Sequence, residues 1–280
     1  MCKSLNTSAG KSQSKFVFFH IQYYCRNLNI SYDIWFIIVN REIMREFYSG
    51  SEKMASLVNG SYKTIKILSR LGIKPGFGEN SVSEVCQSNA VSPYIFLSIC
   101  NVSDFHDYKP NVEGVKNKEV SDLVRYLRLS HNEFINKDIP SVEFCISKIT
   151  SSEGANPKHS DILKHFFEEY REELESHFNY EEKTVFPYVT GILSGVRKEG
   201  FSIEKFEENH TNIEAKLSDL KNILLKYLPA GYPSDVVYEV LAKLYILEEE
   251  FENHAHIEDR LLVPLVAHLE KTGEIIKNGR

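Results

Sequence analysis

At 280 residues the chain has material for one large domain or two modest ones, with a core to match. It is 42% hydrophobic and 26% charged, the composition of a soluble globular protein, and its net charge of −6 argues against nucleic acid as a partner. No stretch reaches the ~20 continuous apolar residues of a membrane span. The five cysteines (Cys2, Cys25, Cys86, Cys100, Cys145) are scattered without a Cys-x-x-Cys pair, which fits free thiols in a reducing cytoplasm.

Residues 1–43 contain the aromatic-rich run KFVFFHIQYYCRN, too polar for the core of a signal peptide. They read as an extension, either disordered or belonging to a mis-assigned start, because Met44 opens a sequence of ordinary cytosolic character. Residues 44–103 read as a small helical module. LVNGSYKTIKILSRLG is periodic, KPGFGEN is a Gly/Pro turn, and Ser81-Val-Ser-Glu84 is a capping-box signal. Residues 104–118, polar and carrying Pro110 and Gly114, read as a linker.

From 119 to 272 apolar residues recur at the spacing of one helix face. Breaks at 151–157, 191–200 and 229–235 divide this region into four helices, A to D, and the short connections predict an up-down-up-down bundle. The fold class is therefore all-α, a four-helix bundle preceded by the small module. Every core stripe is interrupted by a histidine: His131 in A, His177 in B, His210 in C and His254 in D. Helices B and D add Glu181 and Glu258 one turn further on. Polar residues on a buried stripe must be paired or ligated.

His-x-x-x-Glu alone decides little, since acids make up 39 of 280 residues and the spacing occurs four times. Two occurrences share more. ESHFNYEEKTVFP and ENHAHIEDRLLVP each carry a second acid after the glutamate and a proline ten residues after the histidine. Those prolines, Pro187 and Pro264, and Pro140 in helix A, are expected to kink or end their helices. The remaining pairs read differently: His165/Glu169 is rotated off the stripe, and Glu214, beside His210, lies at the stripe's edge as a neighbour of the ligand shell.

Height gives the stronger test. In an antiparallel pair, residues equidistant from the loop lie level. The midpoint of His131 and His177 is Gly154, that of His210 and His254 is Tyr232, and that of His177 and His210 falls between 193 and 194; all lie in the breaks. The four histidines thus share one layer, with Glu181 and Glu258 together in the next. Imidazole and carboxylate donors without thiolate favour iron, manganese or zinc. Six protein donors exceed what a tetrahedral zinc takes and suit two metals, each with two histidines, bridged by both glutamates. Leu127, Leu174, Phe206 and Phe251, within a turn, would limit water.

These residues resemble the hemerythrin-like, HHE cation-binding family of non-haem di-iron proteins. RLSHNEF, ESHFNYEEKTVFP, EENHTNIE and ENHAHIEDRLLVP carry the resemblance, over about residues 119–270. Four histidines with two glutamates look closest to the iron–sulfur-cluster repair proteins of that family. The resemblance implies two irons per chain held by His131, His177, His210 and His254, with Glu181 and Glu258 bridging. LSRLGIKPGFGENSVSEVCQS is similar to the N-terminal module of the same proteins, but Gly76-Phe77-Gly78 stands where the family carries a cysteine pair. The implied function is repair of iron–sulfur centres under oxidative or nitrosative stress, by iron donation or NO/O2 chemistry. The alternative is a reversible O2 or NO sensor or carrier without turnover. Whether the site turns over stays open, with NO reduction the candidate reaction and hydrolysis excluded. Damaged iron–sulfur proteins are the expected partners, and the module reads as a packing or dimerisation unit.

Overall fold

A computed structural model describes residues 46–152, 155–196, 200–206, 211–228 and 232–272. The chain divides into two units, Met1–Phe47 and Tyr48–Arg280, and the second is described below. The expected extension at 1–43 lies outside the described residues.

The N-terminal part is four short helices: α1 (Met54–Gly60), α2 (Lys63–Arg70), α3 (Val82–Ser88) and α4 (Pro93–Asp104). The capping box at the start of α3 forms as the sequence predicts. Ser81 N donates to Glu84 Oε2 at 2.7 Å, and Glu84 N donates back to Ser81 Oγ at 3.3 Å. The turn before it uses Gly76 at φ 107° and Gly78 at φ 57°, conformations a side chain resists. The backbone of this turn thus favours glycine at both positions.

The bundle follows. Helix A is α5 (Asn117–Glu133), a π turn (Phe134–Asp138) and α6 (Ile139–Thr150). Helix B is α7 (Pro157–Tyr180), a π turn (Glu181–Val185) and α8 (Phe186–Leu193). Helix C contains α9 (Thr211–Asn222) and a π turn (Ile223–Tyr227). Helix D is α10 (Ser234–Ile257), a π turn (Glu258–Leu262) and α11 (Val263–Thr272). A packs on B, B on C, C on D and D back on A, the up-down-up-down arrangement. There is no strand among the described residues, and no described helix is long and apolar enough to cross a membrane.

The prolines do not end their helices, which continue to Thr150, Leu193 and Thr272. Each instead follows a π turn by two residues: Pro140 after Asp138, Pro187 after Val185, Pro264 after Leu262. A proline ring clashes with the carbonyl four residues back and offers no N–H. The widened turn relieves that clash, and the wide bonds run Ile139 N to Phe134 O, Phe186 N to Glu181 O and Val263 N to Glu258 O.

The apolar core falls into two clusters. One joins the short helices to one end of the bundle, with Met54, Phe96, Leu123, Leu127, Val185 and Ile257 among its members. The other fills the opposite end, with Ile146, Tyr170, Leu174, Leu217 and Phe251. The break between them falls at the histidine layer. The stretch 105–116 has no helix but is not a free linker, because Val115 is buried and Arg260 clasps its start. That guanidinium donates to the carbonyl oxygens of Val102, Phe105, His106 and Tyr108 at 2.6–3.2 Å, satisfying the open end of α4.

Candidate metal centre

Three of the four helices are described at the histidine layer. The α5 stripe delivers His131 one turn before helix A widens. On α7 the same stripe delivers His177, and Glu181 opens the π turn. On α10 it delivers His254, and Glu258 opens the π turn there. All five side chains are buried, both glutamates completely. One donor atom from each of His131, Glu181, His254 and Glu258 lies within 4.8 Å of the others. His177 joins through Nε2, 2.8 Å from Glu181 Oε1. His210 lies outside the described residues.

The approaches are close and poorly angled for hydrogen bonding. His131 Nε2 is 2.8 Å from Glu181 Oε2, and His254 Nε2 is 3.2 Å from Glu258 Oε1. Yet neither Glu181 oxygen receives a well-directed hydrogen bond. His131 Nε2 and His254 Nε2 are 3.1 Å apart. Two ring nitrogens at that distance, both aimed inward, coexist only with a proton or a cation between them. The donor set therefore fits a metal ion, which would satisfy lone pairs that hydrogen bonds do not.

Electrostatics agree with that arrangement. Burial works to raise the Glu181 carboxyl, but the imidazoles of His131, His177 and His254 outweigh it and hold it well below the ordinary 4.5. Burial favours a neutral His254, but Glu258 and Glu181 overcome it and push the ring up to about 9. A proton on His254 thus occupies the place a cation would take. Aromatic rings fix the imidazole planes. His131 stacks on Phe178 at 4.1 Å and on Phe186 at 5.4 Å between centroids, and Phe134 and Phe178 present edges to His254. Leu127, Leu174, Phe206 and Phe251 are buried.

Residues read as bystanders lie apart. The His165 side chain is 70% exposed on helix B, paired loosely with Glu169. His256 faces His106 on the far side of helix D, ring centroids 6.2 Å apart. Glu214 is half-buried on α9, where it reinforces burial and Glu248 in raising the Glu252 carboxyl. Cys86 is buried, its thiol pushed up to about 12, and burial likewise raises Cys100 well above the ordinary thiol value, so neither is a ready nucleophile.

Two groups at the site escaped sequence reasoning. Glu182 Oε1 lies 3.1 Å from His131 Nδ1, and Arg128 Nε lies 3.0 Å from Glu182 Oε2. The available signal was the second acid that follows the glutamate in both copies of the motif. The other is Arg70 of α2, whose side chain is 3% exposed. It reaches Glu133 at 2.7 Å and Glu250 at 2.8 Å, and its guanidinium lies 6.0 Å from the centre of the Phe134 ring, beside the layer.

Comparison with known proteins is consistent with this geometry. The hemerythrin HHE cation binding domain matches residues 122–266. The iron-sulfur cluster repair protein ScdA of Staphylococcus haemolyticus (strain JCSC1435) is 22% identical over 212 residues, covering 75% of this chain and 95% of that protein. No solved structure matches.

Proposed function

We propose, from the premise that this chain belongs to the hemerythrin HHE cation-binding family, that it is an iron protein of the cytoplasm that helps restore iron–sulfur centres damaged by oxidants or nitric oxide. The observation that carries the reading is the inward pair of Nε2 atoms, His131 and His254, 3.1 Å apart beside a buried carboxylate without well-directed hydrogen bonds. A repair role is supported by the similarity to a protein named for iron–sulfur cluster repair, which extends beyond the bundle.

In this reading His131, His177 and His254 hold the metal with Glu181 and Glu258, and His210 of helix C completes the set. Two irons with both glutamates bridging is the arrangement we infer, since each carboxylate has two oxygens and the donors number six. Bound iron would supply redox chemistry toward NO or O2 and a reserve of metal for donation. The chain's own contribution is positional. Stacking by Phe178 and Phe186 fixes His131, the π turns present Glu181 and Glu258, and the apolar residues above and below restrict water. The clients would be proteins with damaged iron–sulfur centres.

The test is reconstitution: the iron-loaded protein is added anaerobically to a [4Fe–4S] hydratase inactivated by NO. Recovery of hydratase activity beyond that given by equimolar free ferrous iron is expected. Recovery no better than free iron, with stable reversible O2 or NO binding by the protein, would replace repair by a carrier or sensor role.

A further inference from the structure

Glu182 follows Glu181 and is not among the inward-facing donors; its carboxylate approaches His131 from the opposite edge of the ring. A carboxylate only accepts, so at 3.1 Å His131 Nδ1 is the donor and carries the ring proton. In the neutral ring Nε2 is then the lone-pair nitrogen, and it lies 2.8 Å from Glu181 Oε2 and 3.1 Å from His254 Nε2. We propose that Glu182 is the positioning residue of His131, selecting by this hydrogen bond the tautomer and ring orientation in which Nε2 serves as the metal donor. The inference rests on reading the layer as an iron site.

Stacking alone cannot make that selection. Phe178 and Phe186 lie nearly parallel to the imidazole, at 19° and 18°. A half-turn of the ring in its own slot would preserve both contacts while exchanging nitrogen for carbon at the metal edge. At the far edge Glu182 is the hydrogen-bond partner that distinguishes the two orientations. It is itself held in place. Arg128 grips the other carboxylate oxygen at 3.0 Å, and its guanidinium lies 5.5 Å from the centre of Phe186, the ring that stacks on His131. Arg128, Glu182, His131 and Phe186 thus close a loop of contacts.

The device is not repeated at His254, whose Nδ1 has no hydrogen-bond partner among the described residues. It also borders solvent. Glu182 keeps 35% of its side chain exposed, and with His131, Arg128, Asn132, Glu175 and Asn179 it lines an open cavity of about 430 Å³. Carboxylates that orient a ligating histidine characteristically change metal affinity by about 10–100-fold, whereas a half-exposed Arg–Glu pair acting alone contributes little.

The experiment measures iron release from the loaded full-length protein to a ferrous chelator, with wild type, Glu182→Ala, Glu182→Gln and Glu175→Ala. Release is expected to quicken by about 10–100-fold in Glu182→Ala. Glu182→Gln, which keeps an oxygen acceptor, should recover part of the loss, and Glu175→Ala should match wild type. Imidazole ¹H–¹⁵N spectra of the metal-free protein supply a second readout: a protected His131 Nδ1–H in wild type, lost in Glu182→Ala. Wild-type release by Glu182→Ala, or a His131 Nδ1–H that survives the substitution, overturns the proposal alone. Wild-type protein that binds no iron overturns the iron reading as well, and the spectra then still report whether the Glu182 bond exists.

Discussion

At the scale of single residues, the assignment separates histidines that look alike in sequence. His177→Ala and His254→Ala should each lower iron content sharply, while His165→Ala and His256→Ala should leave it at wild-type level; elemental analysis decides. Equal loss from His165→Ala would mean that the wrong His-x-x-x-Glu pair was chosen. The site also predicts a dependence on pH. In the metal-free chain His254 is raised from 6.5 to about 9, so the folded state binds that proton more tightly than the unfolded state. Its stabilising share is complete below pH 6.5 and is lost as pH rises through about 9. Glu181 is depressed below 4.5, so its share is present above pH 4.5 and lost as pH falls through the depressed value. Metal-free protein should therefore melt at a lower temperature at pH 9 than at pH 6.5. Iron retention should run the other way, weakening as pH falls, because metal and proton compete for the same donors. A metal-free melting temperature that climbs between those two pH values would contradict this account.

At the scale of elements, the repeated spacing of histidine, glutamate, acid and proline corresponds to one physical unit. A ligand on the last α turn precedes a second ligand that opens a π turn, and a proline stands two residues past that turn. The stripes and their polar interruptions were legible because helical periodicity survives in the sequence. The proline offset was legible too, but not its consequence. A proline can kink, end or widen a helix, and what tips the choice is packing on both sides, which a single helix does not encode. Likewise the second acid was visible in both copies, while the ring that Glu182 meets lies 51 residues away in helix A. Replacing both Pro187 and Pro264 with alanine restores the missing N–H groups and removes the clash. The double variant should keep or gain thermal stability while losing iron, as helices B and D relax toward α geometry and rotate Glu181 and Glu258 relative to the histidines. Unchanged iron content would show that the π turns are maintained by the site and not by the prolines.

At the scale of the whole molecule, the short N-terminal helices share a core with the metal-bearing bundle. The linker expected at 104–118 hid this, because a Gly/Pro-containing polar stretch looks the same whether it hangs free or is clasped by Arg260. The burial of Arg70 between Glu133 and Glu250 was equally hidden, since its partners are 63 and 180 residues distant. Arg70→Ala would remove the buried guanidinium that Glu133 and Glu250 share, leaving them only the more exposed Lys137 and Lys66. A loss of about 3–5 kcal/mol in unfolding free energy is expected, measured by urea denaturation, with Arg70→Lys partly restoring it. A loss below about 1 kcal/mol, the level of a surface pair, would show that the two parts are energetically separate. A fragment spanning 44–110 should bind no iron, as every proposed donor lies beyond it.

Anaerobic purification from iron-replete cells is the measurement that decides whether the layer is a buried iron centre with open positions. Iron is quantified per chain, and optical and electron paramagnetic resonance spectra of the reduced protein are recorded before and after addition of NO. Two irons per chain are expected, as six donors shared between two metals leave each short of the six contacts of an octahedral ion, together with a clear spectral change with NO. Protein that purifies without iron, or a di-iron form whose spectrum NO leaves untouched, would contradict that reading.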